Sequence, residues 1–71
     1  METTLRKLRE ENKKSRAEVA QALGVTPNAV TNYEQGARRI SLEQVLILSH
    51  LYGVSAEEVI YAQINSFQSD R

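Results

Sequence analysis

Serine, threonine and glycine recur along this chain at intervals that cut it into short helices, and that punctuation limits the fold more than any other feature. Ser15-Arg16-Ala17-Glu18, Ser41-Leu42-Glu43-Gln44 and Ser55-Ala56-Glu57-Glu58 each fit a capping box. In such a box the Ser hydroxyl accepts from the backbone N–H three residues on, and the Glu or Gln side chain reaches back to the serine N–H. Thr26-Pro27 marks a fourth start, with proline at the first helical position, where its missing N–H costs nothing. Gly24, Gly36 and Gly53 stand where the preceding helices should stop. The expectation is five helices over 3–13, 16–23, 27–35, 42–52 and 56–64, with no strand and with a frayed tail.

None of these segments is stable alone, because isolated helices shorter than about 12–15 residues are marginal in water. The 71-residue chain has no cysteine to staple it, so one shared apolar core must hold all five. Its candidates are Leu5, Leu8, Val19, Ala20, Leu23, Val25, Val30, Tyr33, Ile40, Leu42, Val45, Leu46, Leu48, Val54 and Val59. The expected fold is a compact all-α five-helix domain over 1–66, with 67–71 as the tail. No run approaches the roughly 18 apolar residues of a membrane span, no secretory leader is evident, and the absence of cysteine suits a reducing compartment. A cytoplasmic protein is the expectation.

Nine basic residues balance nine acidic ones, but unevenly. Residues 1–39 carry a formal charge of +3 and residues 40–71 carry −3. A dipolar chain of this kind can show a basic face at zero total charge, although ordinary surface scatter gives the same count.

The second and third segments are joined only by Gly24-Val25-Thr26. So short a glycine-containing connection forces a sharp turn and suits a helix-turn-helix, whose helices cross at roughly 90–120°. Ala20 is small where the two helices would come closest, and Val19, Leu23, Val25, Val30 and Tyr33 supply a shared apolar seam. With Asn28 at the origin and about 100° per residue, Asn32 lies near 40° and Thr31 near 300°, while Val30 and Tyr33 lie near 200° and 140°. One face packs and the other is free. The free face carries Asn, Thr and Asn, short hydrogen-bonding side chains, where ordinary solvated faces favour Lys and Glu.

Over residues 5–60 the chain resembles the phage-repressor and Cro-like helix-turn-helix family of DNA-binding regulators. The stretches that carry the likeness are L-R-K-L-R-E-E-N, S-R-A-E-V-A-Q-A-L-G-V-T-P-N-A-V-T-N-Y-E-Q-G and S-L-E-Q-V-L-I-L-S-H-L-Y-G-V-S-A-E-E-V-I. The resemblance implies a lambda-repressor-like domain with 27–35 as the recognition helix in the major groove. It also implies an inter-helix ion pair between Arg9 and Glu34. Three positions depart from the family pattern. Arg16 stands where the family usually has a phosphate-clamping Gln, and it can keep that role because guanidinium binds phosphate bidentately. Lys13-Lys14 stands where Gly and an apolar residue are common. Pro27 occupies a position that often carries a base-contacting side chain.

The resulting expectations for double-stranded DNA are specific. Phosphates would be held by Arg16, Thr26, Arg38, Arg39 and Lys14, which position without reading sequence. Bases would be read by Asn28, Thr31 and Asn32, with Ala29 adding an apolar contact to thymine. Without Arg or Lys on this face, adenine-containing half-sites are favoured over guanine. Ile47, Leu51, Ile60, Tyr61, Ile64 and Phe67 either form the interface of a homodimer or fold back to complete a small core. A repressor acting on a palindromic operator is the leading expectation. The alternative is a protein-interaction module on the same fold, an antitoxin or adaptor, with DNA secondary. No enzyme, metal, cofactor or small-molecule ligand is expected: His50 has no motif partner, and Glu57-Glu58 reads as a helix start. Control would come from concentration or a protein antagonist.

Overall fold

The computed structural model describes residues 3–68. Five helices follow in order: α1 (Leu5–Glu11), α2 (Arg16–Leu23), α3 (Pro27–Glu34), α4 (Leu42–Tyr52) and α5 (Ala56–Gln68). The starts of α2 to α5 are the expected ones, whereas α1 spans Leu5–Glu11 rather than the expected 3–13. Both halves of the capping box form at Ser15 with Glu18 and at Ser41 with Gln44. The Ser55 hydroxyl accepts from the Glu58 N–H at 3.1 Å, and the Thr26 hydroxyl accepts from the Ala29 N–H at 3.2 Å. At α1 the cap is Thr4, which accepts from the Lys7 N–H.

The exit of α1 is less comfortable. Lys13 has φ 57°, a left-handed conformation in which Cβ crowds the following carbonyl at a cost of roughly 1–2 kcal/mol. The turn persists because three bonds close it. The Lys13 N–H donates to the Glu10 carbonyl, the Lys14 N–H to the Arg9 carbonyl, and the Asn12 side-chain amide to the Leu8 carbonyl. Replacing Lys13 with Gly removes the crowding but adds unfolded-state entropy. We expect Lys13→Gly to stabilise the domain by about 0.5–1 kcal/mol, read as a higher urea midpoint at unchanged m-value.

The buried core contains Leu5, Leu8, Val19, Ala20, Val30, Tyr33, Ile40, Val45, Leu48, Tyr52, Val59 and Ala62. Leu23, Val25 and Val54 pack half-buried against it. Two expected core residues are outside: Leu42 is 73% exposed and Leu46 50%. Leu42 is the first residue of α4, before the helix has closed on the core. Leu46 lies about 130° around α4 from the middle of the stripe formed by Val45, Leu48 and Tyr52. Apolar character alone could not separate these sides of so uniformly apolar a helix.

Helix α5 runs to Gln68, past the expected end at 64, and Gln63, Asn65 and Ser66 are bonded to the rest of the domain; of the expected tail 67–71, residues 69–71 lie outside the described residues. The Leu5 N–H donates to the Ser66 hydroxyl at 3.1 Å, and that hydroxyl donates to the Ala62 carbonyl. Asn65 donates to the Thr3 carbonyl, and the Ile40 N–H donates to the Gln63 side-chain oxygen at 2.6 Å. The buried stripe of α5 is Val59, Ala62 and Ser66, spaced i, i+3, i+7 as a helix face requires. A serine here reads as polar surface in the sequence, whereas in the fold it satisfies the start of α1.

Burial also sets the ionisation of Tyr52. Its phenol is pushed up to about 12, by burial first and then by the negative charge of Glu34. The folded state holds this proton more tightly than the unfolded chain. The associated stability is therefore complete below pH 10 and is lost as pH rises toward about 12, up to roughly 2–3 kcal/mol. Urea midpoints at pH 9 and pH 11.5 should differ more in the parent than in Tyr52→Phe.

Candidate nucleic-acid interface

Helices α2 and α3 are joined by a turn in which Gly24 adopts φ 73° and the Val25 N–H reaches back 2.9 Å to the Ala20 carbonyl. This closes α2 and swings α3 across it. The inner side of α3 is fixed at two points. Val30 and Tyr33 are buried, and the Tyr33 hydroxyl accepts from the Gln44 side-chain amide at 3.2 Å. The same Gln44 accepts from the Ser41 N–H, so one side chain both caps α4 and holds α3 to it.

The Arg9–Glu34 pair forms as the resemblance implied. Arg9 Nε lies 2.6 Å from Glu34 Oε2 and its Nη2 3.2 Å from Oε1, a two-pronged contact. A third guanidinium bond goes to the Lys14 carbonyl at 3.1 Å. Both side chains are less than a tenth exposed. One arginine thus connects α1, the α1–α2 turn and the end of α3. The hydrogen bonds that Arg9 donates to Glu34, partly opposed by burial, raise the Arg9 pKa above its ordinary value.

A family model for the helix-turn-helix domain matches residues 5–59. The chain belongs to the Cro/C1-type helix-turn-helix family. That family is one of DNA-binding transcription regulators. No curated protein and no solved structure matches the chain. No single helix among the described residues is long and apolar enough to cross a membrane. Among the same residues no group of His, Asp and Glu is placed to hold a metal ion.

In this helix-turn-helix domain the four side chains expected at bases are not equivalent. Asn28 is exposed. Thr31 and Asn32 are half-buried, and the Thr31 hydroxyl donates to the Pro27 carbonyl at 3.3 Å, so its proton turns inward. Ala29 is half-buried and packs against the core cluster. Gln35 was not among the expected residues. It is exposed and holds helical backbone angles at the C-cap of α3. Extending the helical wheel by one turn places it near 340°, between Thr31 and Asn28. The signal was present in the sequence, because the expected helix 27–35 already included Gln35 and the same helical wheel places it on the free face.

The cations divide likewise. Arg16 is 46% exposed and its Nε lies 3.6 Å from Glu34 Oε1, a contact that sequence reasoning missed. Glu34 is already gripped by two nitrogens of Arg9, so one carboxylate faces two guanidinium groups and a positive excess remains beside the start of α2. Thr26 uses its oxygen to cap α3, which leaves its hydroxyl proton to donate elsewhere. Arg38 and Arg39 are exposed beyond Gly36. Arg39 lies over the Phe67 ring, 4.9 Å from its centroid. The Lys14 side chain is half-buried, and its carbonyl serves Arg9.

The six apolar residues expected at a dimer interface separate into two groups. Ile60, Tyr61 and Ile64 are exposed and line one shallow groove with Glu57. Leu51 packs against the core and Ile47 is half-buried. Phe67 lies against Gly36. Leu51, Ile47 and Phe67 thus follow the reading in which these residues complete the small core, whereas Ile60, Tyr61 and Ile64 remain exposed.

Proposed function

We propose that this domain is a repressor that binds a palindromic operator as a homodimer, with α3 in the major groove. The observation that carries the reading is the outward face of α3: Asn28, Thr31, Asn32 and Gln35, uncharged hydrogen-bonding side chains on a helix whose inner face is locked by Val30, Tyr33 and Glu34. Asparagine and glutamine match the N6/N7 edge of adenine bidentately. Arg16 and Thr26 at one end of the helix pair, and Arg38 and Arg39 at the other, hold phosphates on either side. Ile60, Tyr61 and Ile64 meet their copies across a two-fold axis, which presents two α3 helices to half-sites about 34–36 Å apart.

Selection of bound duplexes from a random pool tests this. The expected product is a palindrome with A·T pairs under Asn28 or Gln35, and Asn28→Ala should relax preference at one position in each half-site. An unchanged preference at every position sinks the assignment of Asn28. A monomeric sedimentation mass at high micromolar concentration sinks the dimer.

A second reading keeps the fold and makes the apolar surface primary. Leu42 and Leu46 are exposed in addition to the α5 groove, more apolar surface than a small DNA-binding monomer needs. On this reading the domain is an antitoxin or adaptor whose partner is a different chain. Failure to bind any duplex at about 50 mM salt would favour it.

A further inference from the structure

We propose that Phe67 is a positioning residue for DNA binding, acting through Arg39; this rests on the reading of α3 as the helix in the groove. The Arg39 guanidinium sits 4.9 Å from the Phe67 ring centroid. Arg39 is exposed, and an exposed arginine otherwise samples many rotamers. A guanidinium that stacks by its face keeps its N–H groups free at the edge. The ring therefore reduces the freedom of Arg39 without consuming its donors. Phe67 is held in turn. A Cβ built on Gly36 would lie 3.0 Å from both Phe67 Cα and Cδ1, so the ring fits against bare backbone at the exit of α3. The turn that contains Gly36 is closed by the Ala37 and Arg38 N–H groups, both donating to the Asn32 carbonyl. Arg39 is thereby referenced to the α3 backbone through Gly36 and to α5 through Phe67. The last turn of α5 places a phosphate contact that lies outside α5 itself.

The test measures affinity for a short random-sequence duplex between roughly 50 and 200 mM salt, well below each variant's melting temperature. Arg39→Gln should reduce the slope of log K against log salt by about 0.9 per protomer. Phe67→Leu should weaken binding roughly two- to fivefold per subunit in the parent and leave affinity unchanged in the Arg39→Gln background, while Phe67→Tyr, which keeps the ring face, should bind like the parent. Equal weakening by Phe67→Leu in both backgrounds, or none in the parent, overturns the proposal. An Arg39→Gln variant with parental affinity and slope also overturns it and leaves the assignment of α3 intact. That assignment is lost only if the parent binds no duplex at the lowest salt. A second measurement avoids core substitution: the Arg39 Nε–H resonance should carry a ring-current shift in the free protein and move again when duplex is added. Its absence in either state overturns the proposal.

Discussion

Glu34→Leu should destabilise the domain by about 3–5 kcal/mol, a large part of the roughly 4–10 kcal/mol expected for a chain of this size. Glu34 faces Arg9 at 2.6 and 3.2 Å and Arg16 at 3.6 Å. Its removal leaves the buried Arg9 guanidinium uncompensated and sets a second guanidinium beside it. Arg9→Met should cost less, because Glu34 keeps Arg16 as a partner. The double variant Arg9→Met/Glu34→Leu should be more stable than Glu34→Leu alone, since no buried charge is then left without its opposite. Urea unfolding of the three variants checks the order. Equal losses in both single variants would show that Arg16 contributes nothing to holding Glu34.

Gly36→Ala is expected to be the other severe change, at about 2–5 kcal/mol. Two costs add there. Gly36 has φ 79°, which burdens any Cβ by roughly 1–2 kcal/mol. The new methyl would also meet Phe67 Cα, Phe67 Cδ1 and the Ser66 carbonyl, each at 3.0 Å, and overpacking of this kind costs roughly 1–3 kcal/mol. Two of those three atoms are backbone and cannot rotate away. Gly24→Ala is the control. Its φ is similar, but its Cβ would meet nothing within 4 Å, so only the conformational cost of roughly 1–2 kcal/mol applies. Thermal melts of the two variants should differ by several degrees. A Gly36→Ala melt no lower than Gly24→Ala would mean that α5 shifts outward without loss.

Both predictions concern joints between α3 and the rest of the domain, and these joints differ in how far they could be read beforehand. The starts of α2 to α5 and the ends of α2 and α4 were legible because each is a local matter: a hydroxyl three residues from an N–H, a proline at a first turn, a glycine in a left-handed cap. The division of α3 into an inner and an outer face was legible for the same reason, since helical periodicity fixes relative direction within one element. Gln35 belongs to that same face, since its C-cap backbone keeps helical angles and continues the periodicity of α3.

What joins distant segments was not legible from composition or spacing. Ser66 is buried because the first N–H of α1 needs an acceptor, and no property of Gln63-Ile64-Asn65-Ser66 announces a partner 61 residues away. Arg16 shares Glu34 with Arg9 only because the crossing of α2 and α3 brings the start of one helix to the end of the other. Leu42, Leu46, Ile47 and Leu51 look alike in sequence, yet one packs on the core, one is half-buried and two face solvent, since the orientation of α4 depends on α5 behind it. The sequence by itself determined five short helices, their caps, the helix-turn-helix at their centre and the uncharged face of α3, all consequences of hydrogen bonds and periodicity within a few residues. Only the tertiary structure decided which apolar residues remain exposed, where α5 ends and what Arg16, Arg39, Ser66 and Phe67 touch, because those depend on packing among helices that are marginal apart and acquire their neighbours only when the core closes.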